Sequence, residues 1–347
     1  MNKSRIKVLI LIFILTLTLI MPGCSCSGSV QAPTQTPTKT SVNTPVTTPT
    51  QSNTPTQPAT TEPSIAPVTE TPTIAPSPSP SGFDESTLVK IKVVGDVMNH
   101  STNIEGAKTD TGYDYKPWFE DIRYLLTQGD LVIANLETTL NGRTNPQYTG
   151  YPLFNTPAEI LEGLKYAGIN FLITSNNHSF DSGYDGVKNT IAEIRDAGLD
   201  YIGTYLDRES FNTPYIKEYN GIKIGFVSYT YGTNGYSVLI PSDKLPYTIR
   251  YIDYDEPKKM YKDIADLKEA GAELVIVSLH WGVEYEPEPN YQQRKLAQNL
   301  FEHGADLIIG GHPHCVQRVA KRTIQTVDGQ TKECVVTYSL GNFIADQ

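Results

Sequence analysis

From residue 88 onward the chain alternates short apolar runs with stretches of helical period. Residues 88–96 (LVKIKVVGD) begin with period two and become apolar, as in a strand entering a core. Residues 131–136 follow the turn pair Gly129-Asp130 as a second strand, with a helix predicted between them over 118–126. Thr156, Pro157 and Glu159 read as N-cap, first-turn proline and capping-box acid, which predicts a helix over 157–166. A buried strand at 170–175, a helix at 184–197 and a strand at 201–203 come next, then a hairpin turning at Asn220-Gly221 into 222–229. Helices over 256–270 and 292–302 alternate with strands at 274–279 and 307–309, and a last hairpin turns at Asp328-Gly329 and ends in 335–339. Such alternation predicts an α/β fold in which helices cover buried sheet and ligand residues gather at the carboxyl ends of strands.

The first 87 residues have a different pattern. Lys3, Arg5 and Lys7 precede an apolar run from Val8 to Met21, the layout of an export signal and short for a membrane span. Gly23-Cys24 at its end resembles the lipobox of bacterial lipoproteins, which makes residues 1–24 a lipoprotein-type signal peptide with Cys24 as the lipidation site. Met21 and Pro22 depart from that pattern, and an ordinary cleaved signal or an uncleaved anchor are the other readings. Residues 25–87 are Thr, Pro, Ser and Gln with few large apolar side chains, too few to bury a core, so they read as a disordered, extended tether. The expected location is extracytoplasmic, anchored to the cell membrane through the N-terminal lipid.

Residues 88–347 then form one domain, with no second linker-like stretch inside it. The net charge of the chain is −10, and the basic excess up to Ser81 leaves the remainder near −12. Such acidity gives no reason to expect a nucleic-acid partner. Cys315 and Cys334 are too few for a disulfide framework, although an oxidising compartment would allow them to bridge.

Polar residues recur where the predicted strands end. Asp96 closes the first; Asn135 and Glu137 the second; Asn176, Asn177, His178 and Asp181 follow the third; His280 and Glu284 follow residues 274–279; His312 and His314 follow 307–309. One carboxylate after a strand is more often a helix cap, but recurrence at five strand exits points to one site. Mixed imidazole and carboxylate donors suit zinc, iron or manganese, and the set is large enough for two ions. Gly310-Gly311 would allow a close backbone approach and a sharp turn before His312.

Six segments in order, Gly95 to Met98, Asn135 to Glu137, Asn176 to Asp181, His280 to Tyr285, Gly311 to His314 and Tyr338 to Phe343, resemble the bacterial CapA family, associated with poly-γ-glutamate capsule synthesis. The resemblance implies a layered α-β-β-α sandwich of metallophosphoesterase type. It also implies Asp96, Glu137, Asn177, His280, His312 and His314 as metal ligands, with Glu137 bridging, and His178 as the catalytic histidine. Asn135, Asn176, Asp181, Asn234 and Asn342 would support ligands or substrate, and Glu284 would fix the tautomer of His280. Residues 229–235 would form one wall of a cleft.

Two departures stand out. Met98 occupies the position of a ligand histidine in the phosphoesterase pattern, and His100, two residues on, is either a substitute or a loop histidine. The family domain continues past the last motif, so the domain reads as C-terminally truncated. The leading expectation is a surface-tethered component of poly-γ-glutamate or related envelope-polymer production, working with that polymer and membrane synthase components and carrying a divalent-metal hydrolase-type site. The alternatives are a non-enzymatic polymer-binding or export factor, and an extracellular phosphatase or nucleotidase.

Overall fold

The computed structural model describes residues 88–346. The export signal, Cys24 and the tether, expected in residues 1–87, lie outside the described residues. The chain runs β1 (Ile91–Val97), α1 (Ser101–Gly106), β2 (Lys108–Thr109), β3 (Gly112–Tyr113), α2 (Glu120–Leu126), β4 (Leu131–Leu136), α3 (Ile160–Ala167), β5 (Phe171–Ile173) and α4 (Gly183–Asp196). It continues through β6 (Asp200–Ile202), α5 (Arg208–Asn212), β7 (Tyr215–Tyr219), β8 (Ile222–Thr230), α6 (Leu245–Thr248), α7 (Lys258–Glu269) and β9 (Leu274–His280). The last elements are α8 (Tyr291–Glu302), β10 (Leu307–Gly311), β11 (Val319–Gln325), β12 (Thr331–Thr337) and β13 (Asn342–Ile344).

Two sheets result. One has the order β13-β1-β4-β5-β6 with every pair parallel. The other has the order β11-β12-β10-β9-β8-β7, with parallel inner strands and an antiparallel hairpin at each edge. Parallel strands covered on both faces need near-continuous apolar runs, as in β4 (LVIANL) and β9 (LVIVSLH), which are buried throughout. Ile91, Ile133 and Phe171 of the first sheet pack on Ile224, Phe226 and Ile276 of the second, and Phe171 stacks on Phe226 at 4.4 Å. Outside the first sheet, Leu126, Leu161, Leu164 and Ile194 of the helices cover Val132, Ala134 and Leu172. Outside the second, Met260, Ile264, Leu296 and Leu300 cover Val275, Val277 and Ile308. The layer order is therefore helix, sheet, sheet, helix.

Several local expectations need correction. The helix expected over 157–166 begins at Ile160, after a turn in which Ile160 N–H donates to Pro157 O. Thr156 cannot cap it, because its hydroxyl pairs with Thr138 Oγ1 at 2.8 Å and its N–H donates to Thr139 O. The strand expected over 170–175 is only β5, because beyond Thr174, which still donates to Ile202 O, the chain turns and Asn176 reaches Asn135 and Leu136 O. Cys315 and Cys334 are both free thiols, one half-buried and one buried. Among the described residues no helix is long and apolar enough to cross a membrane.

The inter-sheet stack generates a direct expectation. Phe171→Ala should lower the unfolding free energy by about 3–5 kcal/mol, because a cavity opens between two sheets that cannot collapse freely. Urea denaturation of the full chain measures it, and a loss below about 1 kcal/mol would contradict this account of the core.

Candidate metal centre

The carboxyl ends of the inner parallel strands of both sheets meet at one edge of the sandwich. In the first sheet Asp96 is in register with Asn135 on one side and Asn342 on the other. In the second, His280 is in register with Thr230 and Gly311. The sheets can approach because glycine stands where they touch: a Cβ on Gly311 would lie 2.6 Å from Asp96 Oδ1. The sharp turn expected at Gly310-Gly311 comes one residue later. Both glycines are within β10, whereas His312 (φ 97°) and His314 (φ 56°) take the left-handed conformation on either side of Pro313. A non-glycine residue held there costs about 1–3 kcal/mol and persists where surrounding contacts enforce it. The enforcing contacts include His312 N–H donating to Asp96 Oδ2 (3.1 Å) and the approach of His314 Nδ1 to Asn342 Oδ1 (2.9 Å).

Asn135 is the hub of the polar cluster. Its Nδ2 donates to Asp96 Oδ1 (2.8 Å) and Glu137 Oε2 (3.2 Å) and lies 3.4 Å from His280 Nδ1, while its Oδ1 accepts from Asn176 Nδ2 (3.2 Å). Asn176 also donates to Leu136 O and accepts from His178 N–H, so it braces the loop against β4. His280 Nε2 is 2.8 Å from Asn177 Oδ1 and 3.4 Å from Glu137 Oε1. Glu284 therefore does not fix His280, whose two ring nitrogens face Asn135 and Asn177; it is exposed, beside His312 and His314.

Charge is crowded here with little water. Glu137 is 0% exposed and Asp96 1%. Burial and then the Asp96 charge push the Glu137 carboxyl well above the ordinary range. Burial also works to raise Asp96, but the hydrogen bond with His314 and the charges of His280 and His314 outweigh it and hold that carboxyl low. Burial lowers His280 to about 3 and His312 to about 2, leaving both imidazoles neutral, the form that binds metal. Burial would lower His314 as well, but its hydrogen bond to Asp96 and the charges of Glu137 and Asp96 raise it to about 9.

The donors form two overlapping groups with ligand atoms within 4.8 Å of one another: Asp96, Glu137 and His314, and Glu137, His280 and His312. Glu137 belongs to both. Its Oε1 and the Nδ1 of His312 are buried without a hydrogen-bond partner. Such atoms are costly in a folded protein unless something pairs with them, and a divalent cation answers both. The residues present therefore fit a divalent metal, with Glu137 common to both groups.

Around this cluster, His178 Nδ1 is 2.7 Å from Asp181 Oδ2, which also accepts the Phe154 N–H, and the Phe154 ring meets the imidazole edge-on. Asn234 (φ 50°) accepts from Asn177 Nδ2 at 3.5 Å. Met98 is 1% exposed, with its N–H on Ile344 O. His100 does not replace the missing histidine: it belongs to no donor group, packs on Phe154 and accepts from Asp346 N–H. An aromatic rim borders the donors, drawn from residues 229–235, where a cleft wall was expected, and from the segment after His280. Tyr231 lies over His312 at 4.5 Å and parallel to His280, and Tyr285 lies near His314.

A two-sheet α/β sandwich with such a cluster at its strand ends is consistent with the metallophosphoesterase-like superfamily, to which the family matched by this chain belongs. Over residues 90–347 the chain matches the family described as bacterial capsule synthesis protein PGA_cap, and it belongs to that family. It is 29% identical over 266 residues to the capsule biosynthesis protein CapA of Bacillus anthracis, covering 76% of this chain and 61% of that one. It is 28% identical over 263 residues to the PGA biosynthesis protein CapA of Bacillus subtilis (strain 168), covering 73% and 62%. The chain thus spans about three fifths of the length of the curated relatives it matches. A solved structure of a hypothetical protein from Thermus thermophilus aligns over 72% of this chain and 75% of its own, with 16% identity and a TM-score of 0.39.

Asn135→Ala should cost about 1–3 kcal/mol in the presence of a chelator, because it removes the donor shared by two buried carboxylates. Chemical denaturation measures it. Unchanged stability would mean the carboxylates do not need that amide.

Proposed function

We propose that this chain is a membrane-tethered, extracytoplasmic component of poly-γ-glutamate or related envelope-polymer production whose cleft holds two divalent ions for hydrolytic chemistry. One observation carries the site half of this reading: Glu137 is common to both donor groups and keeps a buried oxygen unpaired. The pathway half is supported by membership of the PGA_cap family and by relatives named for capsule and PGA biosynthesis. The tether is supported by the signal-like N-terminus and Cys24.

Asp96, Glu137 and His314 would hold one ion and Glu137, His280 and His312 the other, with Asn177 beside His280. Ions of the manganese, iron or zinc type supply Lewis acidity and an activated water there. Everything else falls to side chains. Asp181 orients His178 through Nδ1, which leaves its other ring nitrogen to give or take a proton at a phosphoester or amide-like bond. Tyr231 and Tyr285 would screen the cleft from water. The acidic domain offers a polyanion no general attraction, so the ions would provide it locally.

A second reading, a polymer-binding or export factor without turnover, is favoured by Met98: it is buried where a ligand histidine is expected, and His100 does not take its place. Metal analysis of the full chain after metal-supplemented preparation should find about two ions per chain, and Glu137→Gln should abolish the pair while the circular dichroism is retained. A wild-type protein that binds none would sink the metal centre. In the native host, deleting the gene should lower cell-surface polymer. His178→Ala with intact fold and metal should reproduce that loss by about ten-fold or more if the site is catalytic; unchanged polymer would establish the binding role instead.

A further inference from the structure

We infer that Glu284 forms, with His312 and His314, an outer cation position from which a divalent ion passes to the buried donor groups. The inference rests on the metal-centre reading above. Ligand atoms of Glu284, His312 and His314 lie within 4.8 Å of one another, forming a third donor group that overlaps the two inner ones. Exposure drops in one step inward from Glu284: it is exposed, whereas the His314 side chain is 2% exposed, His312 4% and Glu137 0%.

The lip that carries Glu284 is built to keep it there. Gly282 (φ 92°) and Tyr285 (φ 62°) turn the chain sharply, and Tyr285 N–H donates to Pro313 O at 2.8 Å. That bond ties the lip to the loop bearing both histidines. The buried Nδ1 of His312, without a hydrogen-bond partner, belongs to a residue shared by the outer group and an inner one, and so is open to an ion in either. Glu286 and Glu288, exposed on the same lip, add negative potential that draws cations toward the mouth.

The outer position is one of transit. His312 also belongs to the group with Glu137 and His280, and His314 to the group with Asp96 and Glu137. An imidazole offers at most one lone pair, and only once that nitrogen has lost its proton. An ion at the lip therefore competes with full occupation of the inner groups, and it is released inward as each histidine turns its lone pair to an ion position shared with the buried carboxylates. Stepwise exchange of this kind lets a hydrated ion lose its water in stages, with a protein donor replacing each loss.

The test compares the full-length wild type with Glu284→Gln and Glu286→Gln after chelator stripping. Cobalt(II) uptake is followed by stopped-flow absorbance, and final stoichiometry by elemental analysis. Glu284→Gln should take up the ion about ten-fold more slowly or worse, reach the wild-type stoichiometry and circular dichroism, and release the ion to chelator correspondingly slowly; Glu286→Gln should load at close to the wild-type rate. Equal uptake by Glu284→Gln and wild type overturns the inference while leaving the metal centre standing. So does a lower final stoichiometry, which would make Glu284 a resident ligand, or equal slowing by both variants, which would reduce the effect to bulk charge. A wild type that takes up no cobalt removes the metal centre and this inference together.

Discussion

Asp96 and Glu137 put two carboxylates within reach of one amide in a place water scarcely enters. Like charges at that depth are unfavourable unless each is paired and hydrogen-bonded, and much of the local architecture follows from meeting that demand. Asn135 lies between them and donates to both. The second sheet comes close enough for His312 N–H to reach Asp96 and for His280 to approach Glu137. That approach in turn requires Gly311, since any side chain there would displace the Asp96 carboxylate. One oxygen of Glu137 remains unsatisfied after all of this, and it is the atom around which a metal-based function is most simply built.

The two halves of the cluster are anchored differently. Asp96, Asn135 and His280 sit on strands locked into parallel ladders, so their positions are set by the sheets. His312 and His314 sit on a loop whose backbone is held in an unfavourable region by its contacts. Rigid carboxylates facing strained histidines give a site whose charge is fixed and whose imidazoles have somewhere to go. Glu137, His312 and His314 are each shared by two donor groups, so the overlap joins a rigid carboxylate to both strained histidines.

Much of this was legible before any coordinates. Continuous apolar runs such as residues 131–136 announce strands buried on both faces, and the polar residues that end them announce where the site lies. The helix start at 160 was not legible, because Thr156 has the right chemistry for a cap and is diverted only by Thr138, a neighbour in space. β13 was missed for a similar reason: Asn342 to Ile344 form too short a run to show a period, and they become a strand by pairing with β1. The role expected of Glu284 failed because adjacency in sequence to His280 says nothing about which ring atoms face which side chains. Met98 was the instructive case. Its departure from the pattern was visible in the sequence, but only the burial of Met98 and the partners of His100 show that no histidine fills the gap.

The contact between His312 N–H and Asp96 spans 216 residues, and Asp96 is also in register with Asn342 on the neighbouring strand. Segments from opposite extremes of the described chain therefore meet at one carboxylate, and contacts of such long range form late and carry a large closure entropy. A ligand held at this junction is coupled to the closure of both sheets at once, since it binds the native arrangement and not the open one. For a protein working outside the cytoplasm, as proposed, and so beyond the reach of cytoplasmic refolding machinery, occupancy of the junction would act as a seal: scarcity of the ion would be felt first as shortened lifetime against proteases, before any change in chemistry at the site.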